Sequence, residues 1–366
     1  MDKTEFIESL LEKTLKEAKG IEDPVARMAV ADEIRLASVR IKNGSDTGNF
    51  DEALESVGRI KNPYERPSAL REIAEAMAKA GKFEKALEVA DQIDDFYTRE
   101  WTMLVITEAM AKAEEFDEAL RTAGGIKDTH YRARGLGAVA REMGRAKDSR
   151  APDTLGSALD DAGKVDDPYD KAWILCGIAG SAAAGKDGRV GDVLDTALNA
   201  VHEICNSAKR ASALRAVAVA AVEAGDERAR KLFDTALEAA CALKDADSRA
   251  NALGWLAAAL QKSGDSRAEE TFGKAINSIN KIGDSEGRSR ALRWLAGAMA
   301  EAGHFKNAVS LSESIPIKFF RHEACKDIAV TMAKDGKLEE SHGALKMISD
   351  IRARVEALKA VSLELD

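Results

Sequence analysis

The chain has 366 residues, 45% of them hydrophobic but only 5% aromatic, with 63 acidic against 54 basic side chains and a formal charge of −9. That balance disfavours attraction to a polyanion or an anionic membrane surface, and no segment approaches the ~18 apolar residues of a membrane span. The four cysteines, Cys176, Cys205, Cys241 and Cys325, form no CxxC pair and have no histidine at zinc spacing, so they read as small buried thiols, with no metal or cofactor implied.

A basic residue recurs at spacings of 33 or 39: Arg27, Arg66, Arg99, Arg132, Lys171, Arg210, Arg249, Arg288, Arg321 and Arg354. A period of that size marks one supersecondary unit stacked on its neighbours, so the chain reads as one continuous array and not as two or three globular domains. In chain order, residues 1–21 are expected to form an N-terminal capping helix, 22–348 nine helix-pair repeats and 349–366 a C-terminal capping helix, about 20 helices in all. The N-terminus, Met1-Asp2-Lys3-Thr4-Glu5-Phe6, carries acids where a signal peptide needs a basic stretch, which points to the cytoplasm.

Each first helix announces its start. Asp23, Asn62, Asp95, Asp128, Asp167, Asn206, Asp245, Asp284 and Asp350 stand four residues before the basic position, with Ile317 the exception, and Pro24, Pro63 and Pro168 follow at once in three units. Asp and Asn are strong N-caps, and proline tolerates the first helical turn. Gly81, Gly225, Gly264, Gly303 and Gly336 close that helix in several units. Apolar spacings of three and four, as in Leu70, Ile73, Ala74 and Met77, are those of an amphipathic helix, and no period-two stretch occurs.

The second helix carries Leu11, Phe50, Phe83, Phe116, Leu155, Leu194, Phe233, Phe272, Phe305 and Leu338 in one column, with a small Ala three residues later in most units. Four middle units insert Asp148-Ser149-Arg150-Ala151, Asp187-Gly188-Arg189-Val190, Asp226-Glu227-Arg228-Ala229 and Asp265-Ser266-Arg267-Ala268 ahead of that column. These read as second caps whose six extra residues lengthen the helix by about 9 Å. In the first unit the surplus, residues 43–47, reads as a loop.

Ala78-Lys79-Ala80-Gly81-Lys82-Phe83-Glu84-Lys85-Ala86-Leu87 and Ala300-Glu301-Ala302-Gly303-His304-Phe305-Lys306-Asn307-Ala308-Val309 resemble the turn and second helix of a tetratricopeptide repeat. The resemblance spans nearly the whole chain, although 33 and 39 residues replace the usual 34-residue period. It implies an all-α solenoid, a right-handed superhelix of antiparallel helix pairs with first helices inside, and protein or peptide recognition as its commonest role. It transfers no ligand-binding residue.

The basic ladder has two readings, a strip of guanidinium groups for an acidic peptide or phosphates, and a structural series. Arg66 precedes Leu70, Ile73, Ala74 and Met77 on the packing stripe, which favours the structural one. From there the head group reaches an Asp cap, a Glu or the free carbonyls ending a neighbouring second helix. Binding is therefore sought on the outward positions of the first helices, at Arg134, Arg141, Arg145, Arg290 and Arg293, and at Trp101 and Trp173, which share a column with Arg134 and Arg290.

Asp166-Asp167-Pro168-Tyr169-Asp170 spells DDxxD, the magnesium motif of helical prenyl synthases, but Asp167 is already a cap and no second acidic motif appears. Gly135-Leu136-Gly137 follows no strand, and His130, His202, His304, His322 and His342 share no column. The sequence thus points to a non-enzymatic scaffold holding a peptide or partner protein, acidic segments included, in a concave groove. The alternative is a pentatricopeptide-like single-stranded RNA binder, which the negative charge and the period oppose.

Overall fold

A computed structural model describes residues 50–363, apart from 61, 63 and 64, together with 12, 15, 16 and 19. Arg27, Pro24, Pro63 and the 43–47 loop lie outside the described residues, as does nearly all of the expected capping helix 1–21.

The described residues form α-helices and no strand: α1 (Phe50–Gly58), α2 (Glu65–Lys79), α3 (Phe83–Ala90), α4 (Phe96–Lys112), α5 (Phe116–Gly125), α6 (Thr129–Ala146), α7 (Ala151–Gly163), α8 (Pro168–Ala184), α9 (Val190–Glu203), α10 (Ser207–Glu223), α11 (Ala229–Cys241), α12 (Ala246–Lys262), α13 (Ala268–Ile279), α14 (Ser285–Glu301), α15 (Phe305–Glu313), α16 (Lys318–Lys334), α17 (Leu338–Lys346) and α18 (Ile351–Leu363). Even-numbered helices are the first helices of the repeat and odd-numbered ones the second. They fall into two compact units, 50–239 and 240–363, divided within α11. Within 50–239, α2, α4, α6, α8 and α10 pack each on the next, and within 240–363 so do α12, α14, α16 and α18. The second helices lie against these layers, so each unit is an all-α, solenoid-type stack of helix pairs.

Small side chains make the close approach possible. Ala86, Ala119, Ala158, Ala197, Ala236, Ala275 and Ala308, one per second helix, are fully buried, and Ser341 in the last pair donates its hydroxyl to Ala329 O at 2.8 Å. The preceding column, from Phe116 through Leu155, Leu194, Phe233 and Phe272 to Phe305, is buried beside them.

The caps follow the sequence. Asp95 accepts from Thr98 N at 2.8 Å, Asp128 from His130 N at 2.9 Å, Asn206 from Lys209 N at 2.9 Å and Asp245 from Ser248 N at 2.7 Å. Gly81, Gly225, Gly264, Gly303 and Gly336 all take left-handed φ values of 67–80°. Glu114, Lys147 and Lys186 occupy the same place in their units at 62°, 61° and 56° although their residue types give no such cue.

The long second helices correct one expectation. They have 12–14 residues against 8–10 in the short ones, a gain of about four residues or ~6 Å and not 9 Å. The other two residues form a turn in which Asp148 accepts from Arg150 N at 2.9 Å while Arg150 Nη2 returns a bond to Asp148 Oδ2 at 2.7 Å. Those bonds hold the Asp148 carboxyl down to about 2. Asp187 with Arg189, Asp226 with Arg228 and Asp265 with Arg267 repeat the clip.

The ladder joins second helix to first. The connection after a second helix carries a carbonyl that lies outside any helical ladder. Arg132 Nη1 donates to Ile126 O at 2.8 Å, Arg210 Nε to Ile204 O at 2.9 Å, Arg288 Nη2 to Ile282 O at 2.8 Å and Arg354 Nε to Ile348 O at 2.9 Å, and Arg249 reaches Leu243 O in the same way. The offset is always six residues. Arg132 also grips buried Asp161 with two bonds, at 2.6 and 3.1 Å. Arg66 and Arg99 turn instead to Asp94 and Glu100, each at 3.6 Å.

The residue after each ladder position varies with repeat length. It is Met28, Ala133, Ala172, Ala211 or Ala250 where 39 residues separate the units, and Pro67, Glu100, Ser289 or His322 where 33 do. Those last three are buried and bind backbone at the start of the next unit. Glu100 Oε2 accepts from Lys127 N and Asp128 N at 2.6 and 2.9 Å, Ser289 Oγ from Ile317 N at 3.3 Å, and His322 Nε2 from Ser349 N at 3.3 Å. Ser289 thus supports Ile317, a first-helix start whose own side chain makes no capping bond.

Two outcomes follow. Arg132→Met leaves the buried Asp161 carboxylate with Lys164 alone and orphans the Ile126 carbonyl, and should cost about 2–3 kcal/mol near pH 7 by denaturant midpoint. The hydrogen bonds from Arg132 hold the Asp161 carboxyl below its ordinary value, against burial and with help from Lys164. Such a depressed carboxylate contributes stability above its unfolded pKa that disappears as pH falls through the folded value, so the gap between the two proteins should narrow below about pH 4 to the part that the Ile126 carbonyl bond accounts for. Separately, Glu100→Leu should speed amide exchange at Lys127 and Asp128 and cost about 2–4 kcal/mol, whereas Glu100→Gln, which keeps an acceptor, should retain protection.

Candidate functional site

Within 50–239 the outward face of the first helices is cut by a cleft of about 590 Å³ running over α6, α8 and α10. The helical period dictates which residues face it. Positions two, five and nine after the ladder residue share a stripe turned away from the core positions at four, seven and eight. In α6 these are Arg134, Gly137 and Arg141, in α8 Trp173 and Cys176, and in α10 Arg215 and Val219, all of which line the cleft.

Two of the arginines that line this cleft stand on aromatic faces. Arg134 lies over the Trp101 ring at 5.2 Å and Arg215 over the Trp173 ring at 5.5 Å, while Lys209 lies over Tyr169 at 5.0 Å. Edge-on contacts, Trp101 with Tyr131 and Tyr169 with Trp173, both at 6.2 Å, fix the rings. Trp173 remains 38% exposed. Neither Arg134 nor Arg215 forms a side-chain ion pair or hydrogen bond among the described residues.

Carboxylates interrupt the positive surface, since Glu108, Asp170 and Glu223 also line the cleft. Burial draws the His130 imidazole below its ordinary value, with Asp170 opposing. Burial likewise pushes the Cys176 thiol up to about 12, so it remains a protonated wall group and no nucleophile. Asp167, of the DDxxD segment, accepts from Tyr169 N at 2.8 Å and Asp170 N at 3.0 Å as a helix cap. No three His, Cys, Asp or Glu side chains gather as a metal site among the described residues.

Of the seven residues singled out in the sequence, Arg134, Arg141 and Trp173 meet in this cleft and Trp101 backs Arg134. Arg141 Nε donates to Glu142 Oε1 at 3.0 Å, and Arg145 bonds the same carboxylate at 3.0 Å from outside the cleft. Arg290 and Arg293 belong to the other unit, 240–363, where first helices are laced together by charge. Arg290 bonds Asp247 at 2.7 Å on α12, and Arg293 bonds Asp327 at 3.1 Å and Glu323 at 3.2 Å on α16. The sequence reading missed Arg215, although it is the sole charged residue between Ala211 and Val222.

Burial holds the Asp327 carboxyl above its ordinary value, with Arg293 opposing. Arg293→Ala should therefore raise it further, as followed by carboxyl carbon NMR titration. A carboxyl raised by folding loses stability as pH rises through its folded value, so the variant's deficit against wild type should shrink on acidification.

No protein-family profile and no curated protein matches the sequence. Among solved structures the chain is similar to Ton1535 from Thermococcus onnurineus NA1, at 16% identity and a TM-score of 0.32 over 80% of this chain and 98% of that one. It is also similar to a circular tandem repeat protein with novel repeat topology and enhanced subunit contact surfaces, at 17% identity and a TM-score of 0.29 over 99% and 94%. Likeness at these scores says nothing about a ligand or an activity.

Proposed function

We propose that the protein is a non-enzymatic interaction scaffold of tetratricopeptide-like repeats that holds a peptide segment of a partner protein in the first-helix cleft of residues 50–239. The observation that carries this reading is Trp173, left 38% exposed in a cleft of about 590 Å³ between stacked first helices. A rigid, half-open indole flanked by guanidinium groups suits an apolar side chain with polar neighbours. Cys176 and Cys325 are buried as the sequence suggests, but Cys205 and Cys241, read there as buried too, are exposed free thiols, which fits a reducing cytoplasmic setting.

The single-stranded RNA reading draws on the same rings, because bases stack on indoles. Glu108, Asp170 and Glu223 line the cleft against it, since they repel a continuous phosphate backbone.

Capture from the source cell on the full chain, in parallel with its Trp173→Ala form, separates the two. A protein partner held by the wild type at physiological salt and weakened roughly thirtyfold or more by Trp173→Ala is expected. Recovery of RNA alone, with a steep loss on added salt, would reverse the assignment.

A further inference from the structure

We propose that Arg215, with Arg134 beside it, is an anchor for carboxylate side chains of an acidic peptide segment lying in the first-helix cleft. This rests on the reading of that cleft as a peptide groove.

The same repeat positions behave differently in the two units. Two residues after the ladder stand Arg134 in 50–239 and Arg290 in 240–363; five residues after it stand Arg215 and Arg293. Arg290 is neutralised by Asp247, and Arg293 by Asp327 and Glu323. Arg134 and Arg215 have no carboxylate in ion-pair reach among the described residues and rest on Trp101 and Trp173. The place that supplies Asp247 to Arg290 holds Tyr97 in the unit before Arg134. An unpaired, half-buried guanidinium is costly, and stacking on an indole offsets only part of that cost. Burial accordingly lowers the Arg215 pKa, with Tyr169 and Cys176 opposing and no carboxylate among the groups that raise it.

Stacking restrains the guanidinium plane yet leaves its N–H edge free, and that edge matches a carboxylate with two parallel bonds. The carboxylates in the cleft select among anions. A dianionic phosphate or a nucleic-acid backbone meets Glu108, Asp170 and Glu223, whereas single carboxylates spaced along a peptide can sit between them. Exposed Trp173, standing on the helix between those that carry Arg134 and Arg215, offers apolar surface for the residue next to the acid.

The test displays a random peptide library on the immobilised full chain, then resynthesises the enriched peptides with each Asp or Glu also as Asn or Gln. Enrichment of an acid beside an apolar residue is expected, with the amide forms binding roughly ten- to hundredfold more weakly. Arg215→Met should weaken the acidic peptides by a similar factor and abolish the acid-to-amide difference, while melting no lower than wild type because it removes a buried unpaired charge. Arg134→Gln provides the same cycle should Arg215→Met not fold. Peptides enriched without an acid, an acid-to-amide difference that survives both substitutions, or a clear loss of melting temperature in Arg215→Met that leaves binding intact would overturn the anchor and leave the groove standing. A library that enriches nothing on the folded chain would overturn the groove and the anchor with it.

Discussion

The connection that leaves a second helix carries a carbonyl that no backbone amide satisfies among the described residues, and in this protein a guanidinium from the following helix donates to it. The bond from Arg132 to Ile126 O, repeated at Arg210, Arg249, Arg288 and Arg354, turns a loose end into a joint. The apolar residue that offers the carbonyl, from Ile126 to Ile348, is itself buried, so the bond forms in a poorly hydrated setting where an orphan acceptor would be expensive. The six-residue offset therefore persists while the length of the second helix varies. The surplus of the 39-residue units is taken up at the far end of that helix, in the Asp-x-Arg clip, and leaves the joint untouched.

Holding five of the joints in this way leaves the outward face of the first helices to other uses. Where acids stand opposite bases, as with Asp247 and Arg290, that face is used to lace helix to helix. Where aromatic rings stand there, as with Trp101, Tyr169 and Trp173, the cations lie on rings and the surface stays open. The face in 240–363 thus pairs Arg290 and Arg293 with acids, while the one in 50–239 leaves Arg134 and Arg215 without a carboxylate partner among the described residues.

Features that recur in phase were legible in the sequence, because a period averages over single-residue noise. The caps, the Phe/Leu column and the left-handed glycines are of this kind. What escaped were single instances. Glu114, Lys147 and Lys186 adopt a turn conformation their own chemistry does not favour, imposed by the helices on either side. Glu100, Ser289 and His322 perform one task with three chemistries, so no residue type repeats to reveal the column. Arg215 stands alone in an Ala- and Val-rich helix, and only folding brings Trp173 under it. The ladder itself needed both levels, since its phase showed the packing stripe while its partner, the carbonyl six residues back, depends on where the second helix stops.

The buried residue after each ladder position carries a consequence for how such a chain can change length. A short unit depends on Glu100, Ser289 or His322, a side chain donated by the first helix of that unit to the backbone that opens the next. That side chain stands five residues after the helix start and the short second helix follows it, so the stretch from one cap to the next holds both, and the length of a repeat and the residue that seals its far end travel together. Recombination in the loops preserves each seal, since what the seal meets there is backbone N–H, whereas recombination in the middle of a first helix can join the alanine of a long unit to a short second helix and leave the next helix start without its acceptor.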